Sequence, residues 1–194
     1  MDRISYALGL SIGNNFRNSG INALNVTDFM KGLNDVLSDV QPAIDYREAR
    51  EIINGYFAKL QDDKSALNRQ AGVEFLRINR EKAGVVELPS GLQYEVLKKG
   101  NGAKPKASDQ IRCHYHGTLI NGAVFDSSVQ RGEPAVFGVS QVIPGWVEAL
   151  QQMETGARWR LFIPSELAYG SQGAGQMIEP DSTLIFDVEL LDII

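Results

Sequence analysis

Cysteine is nearly absent: Cys113 is the only one in 194 residues. That excludes an internal disulfide and any metal site built from several thiolates. Cys113 sits on the inward side of an alternating segment, so it reads as a buried, inert thiol. Histidine is almost as scarce, with two. His114 and His116 fall on the outer positions of that segment, and no third ligand lies near them. They read as a solvated surface pair, not a metal site. Ser127 and Ser128 have no base or acid at a spacing that suggests nucleophilic catalysis. Gly170, Gly173 and Gly175 follow a strand pattern but lead into no helix, which argues against a phosphate-binding loop. No apolar run is long enough to span a bilayer. Positive charge is not in excess. The formal net charge is −5, which argues against nucleic acid or an anionic membrane as the main partner. The N-terminus lacks the apolar stretch of a secretory leader. This places the chain in the cytoplasm, or in the periplasm or at the cell surface if a leader has been removed.

What is present divides near residue 84. Before it lies a single proline, Pro42; the other six of the seven follow it. The first part reads as helix and the second as short strands and turns. Ile4, Leu8, Ile12 and Phe16 recur at helical spacing until Asn18-Ser19-Gly20 stops them. Asn25 or Thr27 can cap a second helix carrying Phe29, Met30, Leu33, Val36 and Leu37. Two short helices cannot bury these side chains alone, and a second copy of the same segment is the simplest cover. From Ile44 to about Arg80 one apolar stripe follows Tyr46, Ala49, Ile53, Tyr56, Leu60, Leu67, Ala71, Phe75 and Ile78. It fails at Gln61–Ser65, which predicts a long helix with a solvated middle, and Gly72 is the expected bend.

In the second part Ile111, Cys113 and Tyr115 point one way and Arg112, His114 and His116 the other. Residues 158–163 and 183–191 form further strands. Pro144–Met153 forms one short helix with proline in its first turn. Several antiparallel strands around one helix imply an α+β domain. Tyr115, Phe125, Phe137, Trp146, Tyr169 and Phe186 fall on separate elements of this domain. Composition alone would make them plain core.

The motifs around these aromatics say more. Gly91-Leu92-Gln93-Tyr94, His114-Tyr115-His116-Gly117, Val124-Phe125-Asp126-Ser127-Ser128 and Arg131-Gly132-Glu133-Pro134 occur in that order. They are followed by Gln141-Val142-Ile143-Pro144-Gly145-Trp146, Leu167-Ala168-Tyr169-Gly170 and the run Leu184–Leu191. Residues 91–194 thereby resemble the FKBP-type peptidyl-prolyl cis/trans isomerases. Residues 1–84, with Ser5-Tyr6-Ala7-Leu8-Gly9 and Phe16 ahead of a long helix, are similar to the N-terminal arm of the macrophage-infectivity-potentiator subgroup.

The resemblance implies a helical dimerisation segment over 1–42, a long connecting helix over 43–84 and an isomerase domain over 85–194. That domain would be an antiparallel half β-barrel wrapped around one short helix. Its activity would be X-Pro isomerisation in folding proteins without a cofactor, with chaperone-like binding of unfolded chains by a V-shaped homodimer. A non-catalytic dimeric chaperone using the same pocket is the alternative. Tyr115, Phe125, Asp126, Ile143, Trp146, Tyr169 and Phe186 carry over as catalytic residues, and Phe137, Val142 and Arg131 as substrate-binding ones. Trp146 would lie under the pyrrolidine ring, the Ile143 N–H and the Tyr169 hydroxyl would meet substrate carbonyls, and Arg131 would pair with Asp126. Tacrolimus and rapamycin would inhibit. Ala135 and Ala174 replace aromatic residues of some members, and Glu179 replaces the first of two common prolines. A chain starting near Val85 would keep the pocket and isomerise short peptides as fast as the full chain.

Overall fold

Short polar side chains set the helix starts. The computed structural model describes residues 1–194. Asp2 caps α1 (Arg3–Asn18) by accepting from Ser5 N at 2.7 Å. Asn25 caps α2 (Val26–Leu37), accepting from Thr27 and Asp28 at 3.0 and 3.3 Å. Asp45 accepts from Glu48 N at the start of α3 (Tyr46–Asn79). Each contact satisfies an N–H that the helix leaves unpaired.

Two compact units form, Met1–Leu60 and Gln61–Ile194. In the first, no residue of α1 or α2 is buried. Phe16 meets Phe29 edge to face at 5.4 Å, while Ile4, Leu8, Val36 and Leu37 stay exposed.

The second unit holds seven strands: β1 (Val85–Glu87), β2 (Gln93–Lys98), β3 (Gln110–Leu119), β4 (Val124–Ser127), β5 (Ala135–Gly138), β6 (Arg158–Ile163) and β7 (Leu184–Ile193). They pair antiparallel in the order β1-β2-β6-β7-β3-β4, with β5 on the first half of β3. The expected alternation holds in β3, where Ile111, Cys113 and Tyr115 are buried. The turn α4 (Ser128–Arg131) follows β4, and α5 (Pro144–Leu150) supplies Trp146, Ala149 and Leu150 to the core. Burial pushes the Cys113 thiol up to about 12, so it stays protonated and unreactive near neutrality.

Several expectations change. Helix α5 ends at Leu150, short of the expected Met153, which is nonetheless fully buried beyond it. His114 and His116 are half-buried, not solvated; their Nδ1 atoms lie 3.1 and 2.9 Å from the Ser128 and Ser127 hydroxyls. The polar stretch of α3 is not wholly a solvated bridge. Gln61–Lys64 are exposed, but Lys64 binds Glu179 at 2.8 Å, and half-buried Ser65 bonds Asp181. Gly72 lies within the continuous span of α3. It is buried against Thr183, whose Oγ1 lies 2.3 Å from where a Cβ would stand. Helical residues 61–79 therefore pack within the second unit, and removing them would uncover Thr183. The expected indifference of the pocket to a cut at Val85 does not follow from this packing.

The Gly72 contact predicts a coupled pair. Gly72→Ala gains about 1 kcal/mol of helix propensity but forces a clash costing about 1–3 kcal/mol. We expect net destabilisation in urea unfolding. In a Thr183→Ala background the cost of Gly72→Ala should fall by roughly 1 kcal/mol or more. Equal effects in both backgrounds would remove the contact as the reason for glycine.

Candidate active site

A concavity of the second unit is built by bringing distant segments together on one side of the sheet. Tyr115 comes from β3, Phe125 and Asp126 from β4, Phe137 from β5 and Phe186 from β7. Gln141, Val142, Ile143 and Trp146 come from the entry to α5, and Tyr169 and residues 174–178 from the loop before β7. They enclose about 650 Å³. Nine of the ten predicted site residues meet here. The tenth, Arg131, pairs with Asp126 from outside the lining.

Two motif glycines explain how rings fit so closely. A Cβ on Gly117 would lie 2.7 Å from Phe125 ring atoms and 2.8 Å from Phe186. One on Gly145 would lie 2.6 Å from Ile163 Cγ2. Glycine at these positions lets two rings share one face of β3 and lets α5 descend onto β6. Trp146 then meets Phe186, Tyr115 and Phe137 edge to face, at 5.2, 5.6 and 5.9 Å. Such pairs add about 0.5–1.5 kcal/mol each beyond burial and fix ring orientation. The buried indole Nε1–H of Trp146 has no partner in the protein.

At the rim, Tyr115 donates its hydroxyl to Asp126 Oδ2 at 2.6 Å, and Arg131 donates to Asp126 Oδ1 and, at 2.8 Å, to the Tyr115 oxygen. The α4 turn makes this possible. Ser127 caps it, Gly132 ends it with φ 77°, and Arg131 is turned back over the Tyr115 ring. Burial pushes the Asp126 carboxyl up, but the Tyr115 and Arg131 hydrogen bonds outweigh it and hold the group below the usual carboxylate range. Burial, then the bond to Asp126, pushes the Tyr115 hydroxyl above its ordinary value. Asp126 is thus a fixed, charged acceptor near neutral pH.

Main-chain groups add to the site. The Ile143 carbonyl accepts from Trp146 and Val147 at 2.9 and 3.1 Å, while its own N–H makes no hydrogen bond within the protein. Ser128 Oγ accepts from Tyr115 N at 2.8 Å and so ties α4 to the strand carrying the tyrosine. Gln141, Gly175, Gln176, Met177 and Ile178 also line the cavity and were not foreseen. Gln141 lay within a recognised motif. The other four lie in a loop whose path no periodicity reports. Ala174 lines the wall, Ala135 packs partly buried against the core, and Glu179 turns away to Lys64 and Asn68.

This geometry has close relatives. Residues 101–191 match the family model described as FKBP-type peptidyl-prolyl cis-trans isomerase. Residues 1–96 match the domain amino terminal to FKBP-type peptidyl-prolyl isomerase. The FKBP-type 22 kDa peptidyl-prolyl cis-trans isomerase of Escherichia coli (strain K12) is 44% identical over 197 residues, covering 98% of this chain and 94% of that one. Outer membrane protein MIP of Legionella longbeachae is 42% identical over 199 residues, covering 99% and 85%. The crystal structure of FkpA from Escherichia coli matches with a TM-score of 0.79 at 36% identity, covering 98% and 95%. With an aromatic cavity, no activated nucleophile in its wall and relatives along its whole length, the chain belongs to the FKBP-type peptidyl-prolyl cis/trans isomerases and catalyses rotation about X-Pro bonds.

Proposed function

We propose that the prolyl ring of a polypeptide substrate enters the aromatic cavity and that isomerisation there proceeds by desolvation and positioning. The observation that carries this is the cage of edge-on rings around Trp146, open to one side as a cavity of about 650 Å³. The barrier to rotation, about 18–20 kcal/mol, is the resonance of the planar amide. Water stabilises that polar ground state more than the twisted bond, so an apolar enclosure favours the transition state. No covalent bond forms or breaks.

In this reading Trp146 lies under the pyrrolidine ring, with Phe125, Phe137, Val142 and Phe186 around it. The free Ile143 N–H anchors one substrate carbonyl and the Tyr169 hydroxyl another. Asp126, held by Tyr115 and Arg131, faces the twisting amide. Proline-containing segments of unfolded or partly folded chains fit such a site. Tacrolimus and rapamycin would compete for it, with Ala135, Ala174 and Glu179 tuning their affinity.

We further propose that two copies pair through residues 1–42. Support comes from Ile4, Leu8, Val36 and Leu37, which are 73, 60, 58 and 75% exposed in the single chain. A two-fold pairing would cover the same patch on both chains. Two pockets in one particle could grip one unfolded chain at two prolines, raising avidity through effective concentration.

Phe125→Ala, at a half-buried position, should fold and lose about tenfold or more in kcat/KM on an X-Pro peptide, equivalent to about 1.4 kcal/mol. The wild-type rate should be flat from about pH 6 to about pH 9. Asp126 is depressed and keeps its charge throughout that window, while Tyr115 is raised and keeps its proton. A bell-shaped profile, or full activity in Phe125→Ala, would contradict the mechanism.

The arm has its own test. The full chain should sediment at twice its 21.3 kDa mass, and Leu8→Asp should sediment as a monomer. That monomer should isomerise short peptides normally but assist refolding of a proline-limited protein poorly. A monomeric wild-type chain would end the pairing model.

A further inference from the structure

The loop that forms the far wall of the cavity packs inward through Ala174 and Ile178 and is exposed over Gly175–Met177. It carries Gly170, Gly173 and Gly175, all with positive φ, and a single bridge in which Ala174 and Ile178 exchange bonds at 2.8 and 3.1 Å. Glycine-rich backbone has many states to choose from. The second of the two loop ends is held from outside the sheet. Asp181 is buried at φ 58°, a conformation that side-chain-bearing residues rarely adopt. Its N–H donates to Gly170 O at 2.9 Å, closing the loop's base. Its carboxylate accepts from the Ser65 hydroxyl and from Arg69 Nη2 at 2.8 Å, both on α3.

The neighbouring contacts run the same way. Asn68 Nδ2 donates to Pro180 O at 2.9 Å and Lys64 Nζ to Glu179 Oε1 at 2.8 Å. Positions 64, 65, 68, 69 and 72 share one face of the helix, and Gly72 continues it onto Thr183. The turn at Glu179 and Pro180 is thus pinned by a helix.

We propose that Ser65 and Arg69 are positioning residues for the isomerase reaction: through Asp181 they hold the wall Ala174–Ile178 at the spacing a bound prolyl segment needs. The inference rests on the cavity being the substrate site. Neither residue lines the cavity, so their effect passes through the loop. Hydrogen bonding from Ser65, then from Arg69, outweighs burial and keeps the Asp181 carboxyl below its ordinary range, so the anchor is charged at neutral pH. Releasing it would leave the pocket organised for only part of the time, and apparent affinity falls by that fraction.

The test uses the full-length chain with Ser65→Ala and Arg69→Ala combined. KM for an X-Pro peptide should rise about five- to twentyfold with kcat nearly kept, as expected for a smaller competent population. Hydrogen exchange at the Ala174 and Ile178 amides should accelerate in parallel. Arg69→Lys, which retains the charge, should recover most of the affinity. Arg77→Ala on the same helix, where Arg77 pairs only with Glu74, should change neither. Unchanged KM and exchange in the double variant, or kcat falling in step with the unfolded fraction, would overturn the proposal. Phe125→Ala run alongside separates the two readings. If it loses activity and the double variant does not, only this inference fails; if neither loses activity, the cavity itself is misassigned.

Discussion

At Gly145 helix α5 comes so near β6 that a Cβ would stand 2.6 Å from Ile163. That close approach sets the depth at which the next residue, Trp146, enters the sheet. There its indole is caught edge-on by Tyr115, Phe137 and Phe186. Rings from three strands can converge only because β3 carries glycine at 117, where Phe125 and Phe186 occupy the side-chain space. The cavity is what remains once these rings have packed. Its apolar character, and hence its capacity to favour a twisted amide, follows from the same packing that stabilises the core.

Polar groups serve this arrangement from its edges. Ser127 and Ser128 cap and tie the α4 turn, which returns Arg131 to Asp126 and Tyr115. Each member of that trio satisfies another, and these bonds outweigh the desolvation of a charged carboxylate beside an aromatic cage. On the opposite wall the order comes from α3, whose polar face holds the loop before β7. One side of the pocket is thus fixed by the sheet and the other by the long helix.

Periodicity and capping made much of the fold legible. Alternation in β3 placed Ile111, Cys113 and Tyr115 inside, Asn18-Ser19-Gly20 marked where α1 ends, and Asn25 marked where α2 begins. The pocket was legible through motifs carried by resemblance; aromatic residues alone would have read as core. What stayed hidden was pairing across long sequence separation. Ser65 and Arg69 meet Asp181 more than a hundred residues away, and a periodic pattern reports a face, never its partner. The packing role of Gly72 stayed hidden for the same reason, because the need for glycine lies in Thr183. His114 and His116 were given to solvent because alternation separates two sides of a strand but does not show what covers the outer one.

The chain has two tryptophans, Trp146 in the cage and Trp159 stacked on Tyr94 at 4.2 Å, and this allows a direct test of the central claim. Titrating an X-Pro peptide while recording both indole N–H resonances, with cis/trans exchange of the peptide followed in the same sample, locates the catalysed bond. The account predicts that the Trp146 signal and the Ile143 amide shift with saturation while the Trp159 indole stays in place. Accelerated exchange with the Trp146 and Ile143 signals unmoved would contradict it.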